Sequence, residues 1–348
     1  MGVATTTIST RPNAAPTTAQ SISTINNTIN AFIEAGMIPV SHSDFSGQSE
    51  TYVAVATGAE HEAVIPSLGN GRLLIGYRVF RHPFKNYYIK VDFSYEADGN
   101  TVAPSNATRI AIIFTLGLGL NGTGGFSGIP VILTVKNNIY AYQSAYMANN
   151  TFGKSLTLRV SVGENHFTCC ASFDFYGYYG NYDYCNRETG YSTVALAIIG
   201  SKKDPRYSVV MIPRQGTWSS QNFDEMAQTS LTEANMNLQR KWLIDHQSQS
   251  SIYLSAGQSL GTMSEVGLVS DINGVRVSQA YVTVNGELLP LEMGCIHAGA
   301  STDMGVLNVN LDGNGAKDFY TPFGLGSCNF IAKDVPLSRI PVLMLPYW

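Results

Sequence analysis

One arrangement of residues in the sequence could form a nucleophilic catalytic site. Gly257-Gln-Ser259-Leu-Gly261 matches the GxSxG pattern, and Asp271 and His297 follow in the Ser, Asp, His order of α/β-hydrolases. Such a serine must lie between a strand and a helix of a parallel sheet, whereas the residues after Gly261 are typical of further strand. We therefore favour a strand-end turn over a serine esterase at Ser259.

A glycine motif suggests a dinucleotide site. Gly117-Leu-Gly119-Leu-Asn-Gly122 matches GxGxxG and follows an apolar run. The motif would have to open a helix whose N-terminus receives the pyrophosphate, and residues 123–130, TGGFSGIP, cannot form that helix. The pattern is typical of a hairpin tip, and no cofactor is expected.

A zinc site could be drawn from His166, Cys169, Cys170 and Cys185. Cys169 and Cys170 are adjacent on a predicted strand, so their side chains point to opposite faces and do not share one ion. The five cysteines of the chain form no CxxC pair, which predicts reduced, buried thiols. The acidic loop at 312–318 lacks the glutamate of a calcium loop and is predicted to be a type I′ hairpin tip, so no metal is expected.

The segment 173–184 is unusually rich in tyrosine. Its rings and hydroxyls suit protein interfaces and sugars. We favour a subunit contact over a glycan, because no cluster of carboxylates and tryptophans marks a sugar subsite. The candidate contact residues are Tyr176, Tyr178, Tyr179, Tyr182 and Tyr184.

Composition narrows the function classes. Charged residues make up 13% of the 348 residues and the net charge is -4, so no nucleic-acid partner is expected. The apolar runs are shorter than the roughly 18 to 20 residues that a membrane-spanning helix needs. The N-terminus carries no apolar signal region, so we expect assembly in a cytoplasm.

The fold prediction starts from a long β-hairpin at 109–135. Two apolar arms, Ile110 to Leu118 and Ile129 to Val135, flank a tip dense in glycine, and both faces of the arms are expected to be covered. Further short alternating runs occur before and after it, and Asn273-Gly274, Asn285-Gly286 and Asp312-Gly313 mark hairpin tips. The fold class is therefore all-β, an antiparallel sandwich or jelly roll.

Two helices interrupt the strand pattern. Residues 1–18 are predicted to be an extended arm that only a neighbour orders, 19–36 an amphipathic helix ended by Gly36, and 37–215 a β-sandwich domain. Residues 216–250 are a predicted connector with a capped helix over 222–246 that buries Trp242. Residues 251–348 are expected to form a separate β-rich lobe or to complete the first sandwich.

The first helix carries a narrow apolar stripe. Its spacings of three and four fit either docking on a sheet edge or a short coiled coil between identical subunits. We expect the N-terminal arm and this helix to contribute to inter-subunit contact. The stripe consists of Ile22, Ile25, Ile29, Phe32 and Ile33.

Several of these patterns occur together. They are the helix sequence INNTINAFIEAGMIPVSHSDFSGQ, a Gly-Tyr-x-x-Phe-Arg strand with a Tyr-x-x-Val-Asp partner, GLGLNGTGGFSG, CNRETGYSTVALAIIG and a late YTPFG. The chain thereby resembles structural virion proteins of tailed bacteriophages, associated with tail, baseplate or fibre. The resemblance covers much of the chain to about residue 200 and implies an assembled particle component without catalytic residues.

We therefore expect a non-enzymatic structural component of a phage tail, tail tip or baseplate. Its expected partners are other virion proteins and copies of itself, with a role in host adsorption. The alternative is a receptor-binding module that recognises host surface polysaccharide through the tyrosine segment. The third hypothesis is the esterase at Ser259.

Overall fold

In the computed structural model, three antiparallel sheets carry most of the described chain. The structure describes residues 1–8, 19–40, 72–96, 109–119, 136–139, 156–173, 191–212, 240–254, 261–262, 269–272, 275–297, 305–311, 313–321 and 342–348. The predicted all-β, antiparallel class is confirmed, because every described strand pair is antiparallel.

The central sheet has the strand order β1-β7-β8-β9-β10-β11-β12. Its strands are β1 (Gly2–Ile8), β7 (Leu156–Gly163), β8 (His166–Phe173), β9 (Tyr191–Gly200), β10 (Tyr207–Ile212), β11 (Arg240–Asp245) and β12 (Ser250–Leu254).

The N-terminal sheet has the order β2-β3-β4-β5-β6. Its strands are β2 (Ile38–Pro39), β3 (Arg72–Arg81), β4 (Tyr88–Glu96), β5 (Arg109–Gly117) and β6 (Lys136–Ile139). Helix α1 (Ala19–Glu34) precedes it.

The C-terminal sheet has the order β13-β15-β16-β19-β18-β17, and β14 also pairs with β15. Its strands are β13 (Gly261–Thr262), β14 (Val269–Ile272), β15 (Val275–Val284), β16 (Glu287–His297), β17 (Gly305–Val309), β18 (Lys317–Thr321) and β19 (Val342–Pro346).

The central sheet is buried on both faces. Leu196 and Ile198 of β9 pack in a first core with α1 and the N-terminal sheet, whereas Ala197 and Ile199 pack in a second core with the C-terminal sheet. This burial explains why β9 is apolar almost without interruption, since alternate side chains of one strand enter different cores. The three sheets are therefore stacked, with the central sheet in the middle.

Helix α1 lies alongside the edge strand β1. The Asn27 Nδ2 donates to the Thr7 carbonyl oxygen at 3.0 Å, and Gly2 lies against the carbonyl oxygens of Glu34 and Ala35. The helix ends as predicted, because Gly36 has a φ of 106°. Residues 2–8 are extended and pair with β7 of the same chain, whereas residues 9–18 of the predicted arm lie outside the described part.

The predicted helix over 222–246 is wrong at its C-terminal end. Residues 240–245 form β11, which pairs with β10 and β12, while residues 213–239 lie outside the described part. Trp242 and Ile244 contact the first core and Leu243 enters the second. Three consecutive apolar residues fill both buried faces of a strand in the middle of a sheet. Pairing with β10 and β12 therefore makes this segment a strand, although the spacing of Trp242 fits a helix.

The hairpin predictions have mixed outcomes. Asn285 and Gly286 have φ values of 50° and 81° and join β15 to β16 in a two-residue turn, which confirms this tip. The β17 to β18 loop is longer than the predicted type I′ turn, because Val309 pairs with Lys317.

The β5 arm of the predicted hairpin at 109–135 is confirmed and pairs with β6, whereas residues 129–135 lie outside the described part. Its described side chains Ile112, Phe114 and Leu116 lie in the first core.

Candidate functional site

The GxSxG hypothesis finds no supporting sheet in the described residues. Ser259 lies outside them. Asp271 of β14 and His297 of β16 both pair with Arg276 of β15, from opposite sides. Two strand spacings, roughly 10 Å, therefore separate their backbones. None of the described strands forms the parallel sheet in which a nucleophile elbow occurs.

The two described thiols are inert core residues. Cys169 lies in the first core and Cys170 in the second, which confirms that they point to opposite faces. Burial raises the pKa of both thiols, that of Cys170 to about 12. Cys185 lies outside the described part, within which no group of three potential metal ligands occurs.

The stripe of helix α1 faces the chain's own core. Ile25 and Phe32 are buried, and the Phe32 ring centroid lies 5.0 Å from that of Phe80 and 5.4 Å from that of Phe167. Ile29 packs against the same core, so these three residues contact the chain itself, and the helix docks on its own sheet. Ile33 remains 42% exposed. The side chain of Ile22 and the segment Tyr176 to Tyr184 lie outside the described part.

Among the described residues, the strongest concentration of buried polar groups surrounds the turn between β7 and β8. The His166 Nε2 lies 3.0 Å from the Ser161 Oγ, and its Nδ1 lies 3.4 Å from the Glu292 Oε2. Ser161 lies diagonally across the hairpin from His166, since its register partner is Thr168, and Glu292 of β16 contacts His166. This Ser161, His166 and Glu292 array has the order of nucleophile, base and orienting carboxylate.

The C-terminal residues cover this array. The Ser161 Oγ donates to the Trp348 carbonyl oxygen at 3.1 Å, and the indole ring meets the His166 ring edge-on at 4.8 Å between centroids. The Lys317 Nζ lies 3.2 Å from the Glu292 Oε1 and 4.6 Å from the Trp348 ring centroid. Lys317 therefore holds the carboxylate and the covering ring together.

A second histidine supports the array from the N-terminal sheet. The His82 Nδ1 accepts hydrogen bonds from the backbone N–H groups of Phe84 at 3.2 Å and Lys85 at 3.0 Å. Since Nδ1 is an acceptor, the proton must be on Nε2, which donates to the His166 carbonyl oxygen at 3.2 Å. The β3 to β4 loop is thereby attached to the central sheet.

Tyr87 extends the cluster towards a third histidine. Its ring stacks on His82 at 4.7 Å and on His246 at 6.0 Å between centroids. The His246 Nε2 bonds the Ser208 Oγ at 2.8 Å. Within the described part of the chain, the buried Tyr87 hydroxyl and the His246 Nδ1 have no hydrogen-bond partner.

Burial sets the charge states of this cluster. It lowers the pKa of His82 to about 3 and that of His246 to about 4, and it lowers the pKa of His166 despite the opposing contact with Glu292. Burial alone would raise the pKa of Glu292, but His166 and Lys317 outweigh it and the pKa is lowered. The three imidazoles are therefore neutral, and that of His166 faces an ionised carboxylate.

Sequence reasoning considered His166 only as a zinc ligand and overlooked Ser161 and Glu292. Glu292 interrupts an apolar run in ELLPLEMGCIH, whereas Ser161 follows Thr157 and Arg159 in the alternating polar positions of LTLRVSVG. A polar residue within an apolar run must find a partner, and this signal could have marked Glu292 but not Ser161. Nothing in the spacing of 126 residues between His166 and Glu292 pairs them.

Comparisons with protein-family models, curated proteins and solved structures found no match. No helix in the described residues is long and apolar enough to cross a membrane.

Proposed function

We propose that this chain is a non-enzymatic structural component of a tailed-bacteriophage virion, in the tail, tail tip or baseplate. It holds other virion proteins and copies of itself in fixed geometry and supports host adsorption. The motifs that resemble structural virion proteins support this proposal, as does a composition with few charges. The stacking of three sheets supports a sandwich or jelly-roll-like body.

The proposal that the chain is not an enzyme rests on the burial of the Ser161, His166 and Glu292 array. Ser161 and His166 are buried, and Glu292 is 7% exposed. An enzyme site needs a cleft in which substrate reaches the reacting groups. This array instead joins the central sheet, the C-terminal sheet and the last residue, which gives the body a fixed shape.

Deleting the first 35 residues would not test assembly cleanly, because Phe32 belongs to the core. A sharper variant is Ile33→Glu, which places a charge on an exposed stripe residue. Leu288→Glu, at a 46% exposed site of the C-terminal sheet, is the matched control. We expect light scattering to show a multiple of the chain mass for the purified protein and the control, and a smaller species for Ile33→Glu.

Labelling purified phage particles with an antibody against the chain would locate the protein. Signal on the tail, tip or baseplate supports the proposal. A monomer at all concentrations, together with unlabelled particles, would overturn it. Glycan-array binding that is lost on Tyr-to-Ala substitution in the segment 176–184 would favour the receptor-binding alternative.

A further inference from the structure

The Ser161, His166 and Glu292 array meets the distance requirements of an activated serine. Oxygen and nitrogen are 3.0 Å apart at the Ser161 to His166 contact, and the opposite ring nitrogen lies 3.4 Å from the carboxylate. In such arrays the carboxylate fixes the tautomer with the proton on Nδ1, so that Nε2 accepts from the serine. Lys317 keeps Glu292 in position to do this.

One hydrogen atom decides whether the serine is activated. The Ser161 hydroxyl has two acceptors within reach, the His166 Nε2 and the Trp348 carbonyl oxygen, and it can donate to one of them at a time. Donation to Trp348 leaves the base unused. Donation to His166 is the state that precedes nucleophilic attack.

Trp348 contacts both reacting groups, the Ser161 Oγ through its carbonyl oxygen and the His166 ring through its indole. Its ring packs on His166 and on Phe319, with centroids 4.8 and 5.1 Å away, and its own side chain is only partly buried. Lys317 beside it is 38% exposed at its side chain. The residue that contacts Ser161 through its carbonyl oxygen and His166 through its ring is therefore itself only partly buried.

We propose that Ser161 is a base-activated nucleophile that Trp348 occludes, and that it accepts an acyl or phosphonyl group once the ring is displaced. With an ester, the Ser161 Oγ forms a bond to the carbonyl carbon and the bond to the alcohol oxygen breaks. The serine proton passes to the His166 Nε2 and then to the departing alcohol. The product is an acyl-serine, and no oxidant or cofactor is required.

A second serine–histidine pair in the same chain serves as a comparison for Ser161 and His166. Ser208 contacts the His246 Nε2 at 2.8 Å, closer than Ser161 contacts His166. However, the His246 Nδ1 has no hydrogen-bond partner among the described residues, so no carboxylate orients that ring. If proximity to histidine were sufficient, both serines would react. If the carboxylate matters, Ser161 alone reacts.

The test treats the full chain with a fluorophosphonate, which releases fluoride on serine attack, and maps the modified serines by mass spectrometry. The variants are Trp348→Ala, which removes the indole ring from His166 but keeps the backbone carbonyl, and Trp348→Phe, which keeps a ring there. Ser161→Ala in the Trp348→Ala background identifies the site. Thermal unfolding shows which variants are folded.

We expect modification at Ser161 at least tenfold faster in Trp348→Ala than in the wild type or in Trp348→Phe, with Ser208 unmodified. If Trp348→Ala does not fold, prolonged treatment of the wild type replaces it, and Ser161 should then be labelled ahead of Ser208. Equal labelling of the two serines, or no labelling of Ser161 in folded protein, would overturn the proposal. Labelling of Ser161 would show a latent nucleophile and not catalytic turnover, so it leaves the non-enzymatic proposal standing, and assembly is measured separately.

Discussion

The His82 ring donates from Nε2 to the backbone oxygen of His166 while its Nδ1 accepts two backbone N–H groups. Both nitrogens of the neutral ring are therefore used, and a second proton has no room on Nδ1 without the loss of two hydrogen bonds. This contact between the N-terminal and central sheets is consequently tied to one protonation state.

The stability of the protein should fall on acidification. The unfolded chain binds a proton at His82 and His246 near pH 6.5, whereas the folded chain does so only near pH 3 and pH 4. Acid therefore favours the unfolded state, and stability present above pH 6.5 is lost as the pH falls towards 3. Urea unfolding at pH 7, 5.5 and 4 measures the loss, and His82→Gln should show a shallower pH dependence. If the free energy of unfolding depended equally on pH in the wild type and in His82→Gln, His82 would not be a source of the acid sensitivity.

Glu292→Gln should destabilise the fold by about 1–3 kcal/mol, because it removes a charge that both His166 and Lys317 contact in a buried setting. The control is Glu287→Gln. Glu287 pairs with Lys203 on the surface, where both side chains are more than half exposed, and its substitution should cost less than about 1 kcal/mol. Chemical denaturation measures the free energy of unfolding of both variants. Similar decreases in the two would argue against a structural role of the array.

Gly163→Ala should displace the His166 ring. A Cβ at Gly163 would lie 2.3 Å from the His166 Cε1 and 2.7 Å from its Nδ1, so the ring must leave its contacts with Ser161 and Glu292. Buried groups left unpaired cost roughly 1–3 kcal/mol each. Gly2→Ala, whose nearest contact would be 3.4 Å, is the control and should be nearly neutral. The imidazole NMR signals of His166 should shift only in Gly163→Ala.

Tyr87→Phe should leave the stability unchanged or raise it by about 1 kcal/mol. The substitution removes a buried hydroxyl that has no partner in the described structure and keeps the ring that stacks on His82 and His246. Tyr87→Leu, which lacks the ring that stacks on the two histidines, should lower the free energy of unfolding. A clear loss of stability in Tyr87→Phe would show that the hydroxyl is bonded, for instance to a buried water.

The sequence was informative where local chemistry decides the structure. The alternation in β4, the glycine after α1 and the Asn285-Gly286 turn each follow from their own side chains. The end of the predicted second helix was wrong because β10 and β12 decide the state of Trp242. The cluster around His166 was missed because its members come from β7, β8, β16 and the last residue, and only tertiary pairing brings them together.

The edge strand β1 also has a consequence for biosynthesis. Its partner β7 begins at Leu156, so a chain emerging from the ribosome exposes β1 for the time that about 150 further residues take, roughly 8 to 30 s. Helix α1 is available much sooner, and Asn27 already bonds Thr7. The helix can thus shield the nascent strand from neighbouring chains on a polysome until the ladder with β7 closes.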